Sequence, residues 1–233
     1  MGEIHLIRHG QASFGSDDYD RLSETGRQQS LLLRDHWRAL GLRFDVIYCG
    51  LLHRQRSTAG ILMSGELAPE WRQSACLDEF AHQPVLRAWA RRLREQDPDS
   101  MPDRDVLNSD RRVFQRFYTE AMMAWVDNRL TPTEGLEPWS AFRERCEGAL
   151  DELLAEQVPG ARIGVVTSAG VIGVLLARVL GLDSAMAVRM GWTIYNSSLT
   201  RLRIGRSGRI SLLDFNSVPH LEHPDRAEMI TFR

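Results

Sequence analysis

The run EIHLIRHG, residues 3–10, is apolar at both parities except for its histidines and the charged Glu3 and Arg8. That pattern predicts a β-strand covered on both faces, because a strand with one wet face would alternate. Ser23 reads as the N-cap of a helix running to about Leu40, with Leu33, Trp37 and Leu40 on one face and Gly41 as its stop. FDVIYCG predicts a second strand, and RQRSTAGILM a helix whose small residues permit close approach to a sheet. Towards the C-terminus, RIGVVT predicts a strand and GVIGVLLARVL a nearly all-apolar helix. SLTRLRI and RISLLDF predict two closing strands. From about Phe80 to Glu137 the texture changes, and prolines at 84, 98, 102, 132 and 138 punctuate segments rich in arginine and aspartate. Phe114, Phe117, Tyr118, Ala121, Met122 and Trp125 recur there at helical spacing, so at least one amphipathic helix is expected. A further helix is expected from about Pro138 to Gln157. Strands alternating with helices imply the α/β class: a three-layer α/β/α sandwich with a mostly parallel sheet. The expected organisation is one domain over residues 1–233 with a helical insertion at about 80–137.

Composition narrows the chemistry. The 233 residues suffice for one sizeable core, and a formal net charge of −2 gives no electrostatic case for nucleic acid or a membrane as partner. All 29 basic residues are arginine. The absence of lysine excludes Schiff-base chemistry, lysine-anchored pyridoxal phosphate and the lysine-bearing phosphate loop. Any bound anion must therefore meet arginine, histidine or backbone N–H groups, and the planar fork of arginine suits phosphate oxygens. Cys49, Cys76 and Cys146 are odd in number and widely spaced, which fits a reducing compartment. No apolar run approaches the ~20 residues of a membrane span, and the first residues carry no leader pattern, so a cytoplasmic location is expected. His5 and His9 share a parity but stand ~13 Å apart along a strand, too far to share a metal. His53, His82, His220 and His223 have no ligand spacing either. Neither metal nor cofactor is expected, and His5 is expected to be a hydrogen-bonded core histidine.

Ligands in open α/β sheets collect beyond the carboxyl ends of the strands. The first strand delivers Arg8, His9 and Gly10 there; the second, with its helix start, delivers His53 and Arg54. The run ACL leads to Asp78 and Glu79, and the stretch VVTSAGVI delivers Thr167, Ser168, Ala169 and Gly170. Arginines, an imidazole, a carboxyl group and a bare helix N-terminus on one rim suit a phosphoryl group. The arginines and N–H groups would hold its oxygens, the imidazole would attack, and the acid would protonate the leaving oxygen. Ser168 by itself has three readings: a phosphate contact, an N-cap, or a hydrolase nucleophile followed by Asp214 and His220. The third is disfavoured by Val166, because the strained nucleophile turn needs glycine two residues before its serine.

LIRHGQAS resembles the signature strand end of the histidine phosphatase superfamily, which includes phosphoglycerate mutases. DRLSETGRQQ is similar to the family's first helix start, LLHRQRSTA to its second motif, and LDEF to the leucine-x-glutamate that carries its acid. NSSLTRL and FNSVPHL resemble its closing strands. The resemblance implies that His9 is the nucleophile that becomes phosphohistidine, that Arg8 and Arg54 clamp the phosphoryl oxygens, and that Glu79 is the acid. Ser168 and Ala169 would contact phosphate in the fourth motif, where Ser168 stands in place of the family's second histidine. Gly15 stands where many members carry asparagine. The implied function is hydrolysis of a small phosphomonoester, slowed or specialised by the missing histidine. A phosphoglycerate mutase and a non-catalytic phospho-ligand-binding module are the alternatives on the same fold. No motif in the insertion selects a substrate.

Overall fold

The computed structural model describes residues 2–13, 20–97, 101–156, 158 and 160–232. The chain divides into two compact units, Met1–Glu79 with Arg145–Arg233 and Phe80–Glu144.

The first unit is built on a six-stranded sheet. Its strands are β1 (Gly2–Arg8), β2 (Val46–Cys49), β3 (Trp71–Gln73), β4 (Arg162–Thr167), β5 (Leu199–Ile204) and β6 (Ile210–Ser217), in the spatial order β3-β2-β4-β1-β5-β6. The pairings β1–β4, β2–β4 and β2–β3 are parallel, whereas β5 pairs antiparallel with both β1 and β6. The fold is thus a mostly parallel α/β sheet flanked by helices, as the alternation of patterns predicts. The register sets Arg8 opposite Thr167, so β1 and β4 end level and Ser168 follows on the strand next to His9.

Both-face burial explains the composition of these strands. Ile4, Leu6 and Ile7 of β1 and Val165 and Val166 of β4 are wholly buried. Each such side chain contributes roughly 1.5–3 kcal/mol by leaving water. The core continues through Leu33, Trp37, Phe44, Ile47 and Leu62. His5 lies within it, edge-on to Trp37 and Phe44, with Nε2 3.1 Å from the Glu3 carboxylate. Among the described residues its Nδ1 has no hydrogen-bond partner, so this core histidine is only half satisfied.

Helices α1 (Glu24–Ala39), α2 (His53–Met63), α7 (Ala169–Leu180) and α8 (Ser184–Gly191) complete the unit. Ser23 caps α1 by accepting from the Gly26 N–H, and Gly41 follows the helix at φ +63°, where glycine is needed. Leu40 departs from the expected apolar face: it is 65% exposed. The helix ends at Ala39, which leaves Leu40 as the cap residue beyond the covered stretch. The run ACL is a turn of 3-10 helix, and β3 is the short segment of exposed residues just before it.

The second unit holds α3 (His82–Gln96), α4 (Arg104–Ser109) and α5 (Arg111–Val126). Helix α6 (Trp139–Glu156) starts in this unit's residues and continues through those of the first. The aromatic stripe of α5 is core: Phe117, Ala121, Met122 and Trp125 are buried, and Trp125 packs on Phe80, Trp139 and Phe142. Pro138 precedes α6 and accepts from Phe142 N–H, while Gln157 and Pro98 lie outside the described residues.

Candidate active site

His9 emerges where β1 ends, its N–H donating to the Thr167 carbonyl at 2.9 Å. Its own carbonyl accepts from Ser197 N–H at 3.2 Å and from Asn196 Nδ2 at 3.4 Å, so the backbone is pinned from both neighbouring strands. Gly10 must be glycine, because a Cβ there would stand 2.3 Å from the Gly26 carbonyl oxygen of α1. The start of α1 thus packs directly on the chain that carries the imidazole.

The partners of that imidazole fix its tautomer. Nδ1 lies 2.7 Å from the Gly10 carbonyl, which only accepts, and Nε2 lies 3.1 Å from Arg54 Nε, which only donates. Nδ1 therefore carries the proton and Nε2 presents a lone pair. His9 is only 5% exposed. Burial pushes its pKa well below the ordinary value, and the charges of Arg54 and then Arg8 push the same way, against the Gly10 hydrogen bond. The result is an imidazole that is neutral at neutral pH, with its lone pair on Nε2 beside Arg54.

Arg54 opens α2 and is itself held. Its Nη1 reaches Asp20 Oδ1 at 2.6 Å, and Asp20 Oδ2 accepts from His53 N–H at 2.6 Å. One carboxylate thus orients the guanidinium and satisfies a bare N–H of the helix. The sequence does not single out Asp20, although it opens the quoted motif DRLSETGRQQ; its proximity to α2 is a tertiary fact. Arg8 shares the strand end, and its guanidinium donates to the Ile194 carbonyl and to the Phe232 carbonyl. Gly15 lies outside the described residues.

The neighbouring carboxyl groups divide the work between them. Asp78 accepts from Leu51 N–H at 2.5 Å and Leu52 N–H at 3.3 Å, closing the turn before α2, and burial raises its pKa. Glu79 instead turns to the start of α7, where Oε2 accepts from Gly170 N–H at 2.9 Å. A Cβ on Gly170 would stand 2.2 Å from Glu79 Oε1, so the missing side chain is what admits the carboxylate. Ala169, first in the helix, has an N–H with no intrahelical acceptor.

Ser168 occupies the N-cap position of α7, yet its side chain makes no capping hydrogen bond. It is 1% exposed, and Gln55 Nε2 donates to its hydroxyl oxygen at 2.9 Å. Gln55, like Asp20, gives no signal in the sequence, since a glutamine on a helix face announces nothing about its partner. The residues of the serine-hydrolase alternative are dispersed: Asp214 pairs with Arg201, and His220 with Ser197 Oγ at 2.8 Å. Among the described residues no three or more His, Cys, Asp or Glu side chains could hold a metal ion, and no helix is long and apolar enough to cross a membrane.

The ends of β1 and β4 and the starts of α2 and α7 thus carry an imidazole with its lone pair on Nε2, held arginines, a carboxyl group and a helix N-terminus. Solved structures share the fold. The protein YhfR of Bacillus stearothermophilus superposes with a TM-score of 0.67 at 20% identity, over 95% of this chain and all of that one. A phosphoserine phosphatase of Entamoeba histolytica in complex with phosphoserine gives 0.63 at 19%, over 95% of this chain and 100% of that one. A phosphoglycerate mutase of Bacillus anthracis gives 0.64 at 16%, over 94% of each. At these identities the likeness is one of fold. No curated protein sequence matches the chain. The family model of the histidine phosphatase superfamily (branch 1) matches residues 4–105 and 109–217, nearly the whole chain including all the site residues above, and the chain belongs to that superfamily.

Proposed function

We propose that this protein is a phosphatase that hydrolyses a small phosphomonoester through a phosphohistidine at His9, with no metal or cofactor taking part. The observation that carries the reading is the imidazole itself, with Nδ1–H tied to the Gly10 carbonyl and the Nε2 lone pair held beside Arg54.

In the first step Nε2 attacks phosphorus, the N–P bond forms and the bond to the alkoxide breaks. Glu79, as the carboxylic acid, gives its proton to the departing oxygen. In the second step Glu79 takes a proton from water, the water oxygen bonds to phosphorus, and the N–P bond breaks to restore neutral His9. Arg8 and Arg54 balance the charge on the transferring group, and Ser168 and the Ala169 N–H supply hydrogen bonds to its oxygens. Asp78, engaged with two backbone N–H groups, is unsuited to the acid role; Glu79 is the carboxyl group at the helix start.

Incubation with a panel of phosphomonoesters and rapid quenching should trap an acid-labile, base-stable phosphate on His9, and His9→Ala should remove all turnover. Full activity in His9→Ala would end the proposal. Turnover only with a bisphosphoglycerate primer would point to a mutase instead. Ligand binding without any turnover would point to a binding module.

A further inference from the structure

Gln55 lies wholly buried at the third position of α2, and two contacts fix which way its amide points. Its Nε2 donates to the Leu77 carbonyl at 3.0 Å, and its Oε1 accepts from Leu52 N–H at 3.3 Å. A flipped amide would set oxygen against the carbonyl and nitrogen against the N–H, so the orientation is single. The contact with Ser168 then has only one polarity: Nε2 is the donor and the serine oxygen the acceptor, at 2.9 Å.

That polarity decides what the serine does with its own proton. An amide nitrogen accepts no hydrogen bond, so the proton cannot return to Gln55. The Leu77 carbonyl offers no vacancy, because its two lone pairs already serve Gln55 and the Thr167 hydroxyl, the latter at 2.6 Å. The carbonyls that open α7 point along the helix, and the Ser168 carbonyl itself accepts from Ile172 N–H. Ser168 follows directly on Thr167, whose carbonyl receives the His9 N–H, so the residue stands at the strand end next to the one that carries His9.

We propose that Gln55 is a positioning residue for the reaction: it holds the Ser168 oxygen as an acceptor and so delivers the hydroxyl proton to an oxygen of the bound phosphoryl group. The pair fills with one neutral donor the place where the family carries a second histidine. The inference rests on the phosphoryl-transfer reading of the site. An amide donating to a hydroxyl also polarises its O–H bond, which strengthens the donation onward.

The test is a double-mutant cycle on the full chain, with Ser168→Ala, Gln55→Leu and the two combined. It is read by the affinity for inorganic phosphate in titration calorimetry and by kcat on p-nitrophenyl phosphate. Ser168→Ala should weaken phosphate binding roughly tenfold or more, as for a lost hydrogen bond to a charged group. It should also lower kcat on the order of 100-fold, as for a lost transition-state donor. Gln55→Leu should lower both in the same direction, and the double variant should be no worse than Ser168→Ala alone. If the Gln55→Leu variant does not fold, Gln55→Met keeps the length of the side chain without a donor. Its effect should likewise vanish when combined with Ser168→Ala. Losses that multiply in the double variant, or a Ser168→Ala protein with unaltered phosphate affinity, would overturn the inference. Failure of the function reading has a different signature: no phosphate on His9 and no turnover in the natural protein, while phosphate affinity still reports on the hydroxyl.

Discussion

His9 keeps its nucleophilic lone pair because burial, two arginines and one backbone carbonyl act on a single ring. Burial and the arginines favour the neutral form, so the imidazole stays unprotonated well below its ordinary value of 6.5. The sign follows directly: a group whose pKa is depressed is neutral, and active, above that depressed value, and protonates only beneath it. The acid limb that His9 contributes to kcat/KM should therefore lie below pH 6.5, with no loss between pH 8 and 6.5 from this group. Arg54 ranks second among the causes, after burial. In Arg54→Gln the His9 titration followed by NMR should move up towards 6.5 without reaching it, since burial remains. An unmoved midpoint would mean that the guanidinium does not act on the ring. Asp20 acts one contact further out, through Arg54 Nη1 and the His53 N–H. Asp20→Ala frees the guanidinium to swing, and misplacing a phosphate ligand can cost about 100-fold in rate. We expect a roughly 10- to 100-fold lower kcat/KM together with a lowered melting temperature, because the Arg54 side chain is only 10% exposed and loses its partner. An unchanged kcat/KM in Asp20→Ala would show that Arg54 holds its position unaided.

At the scale of elements, the start of α7 is where backbone geometry and chemistry meet. Alanine is the better helix former by about 1 kcal/mol, so Gly170→Ala should leave the fold at least as stable on propensity alone. Yet its Cβ would fall 2.2 Å from Glu79 Oε1 and expel the carboxylate from the helix N-terminus. The expected outcome is a normal thermal melt with activity lowered at least tenfold; normal activity would show that Glu79 works from another position. This element also marks what the sequence makes legible. RIGVVT followed by small residues announces the strand, the turn and the helix, because a doubly covered strand must be apolar throughout and a helix start needs a cap. His9, Arg54 and Glu79 are legible from motif order, and the structure joins His9 to Arg54 and Glu79 to the helix start. Gln55 and Asp20 are not, since their meaning lies in partners 113 and 34 residues away that no local period encodes. The face containing Leu40 misleads because periodicity cannot tell where a helix stops. The three-residue β3, with every residue exposed, carries no run of apolar positions that could announce it.

At the scale of the whole molecule, the buried histidines link stability to pH. His5, His9 and His220 are all nearly sealed from water, and burial depresses the pKa of each, that of His220 to about 3. In the unfolded chain each returns to about 6.5. Below that value the unfolded state binds more protons than the folded state, so stability falls with falling pH and is recovered as pH rises through 6.5. The full contribution is present above 6.5, and His220 goes on losing it down to about pH 3. Each group approaches a slope of about 1.4 kcal/mol per pH unit while it stays neutral in the folded protein. The carboxyl groups with depressed pKa values, Glu3, Asp35 and Asp151, act only near and below their ordinary values of 4.5 and 3.8. Between pH 6.5 and about 5 the histidines are thus the main source of a slope of this sign, and Asp78, whose pKa burial raises, works against them. Urea unfolding at about pH 8.5, 7.5 and 5.5 should show a near plateau followed by a drop of more than about 1 kcal/mol. His220→Gln provides the control: its amide can still meet Ser197 Oγ but does not titrate. The variant should lose part of the drop between about pH 7.5 and 5.5, whatever its stability at neutral pH. An identical slope in the variant would mean that His220 is protonated in the folded protein despite its burial.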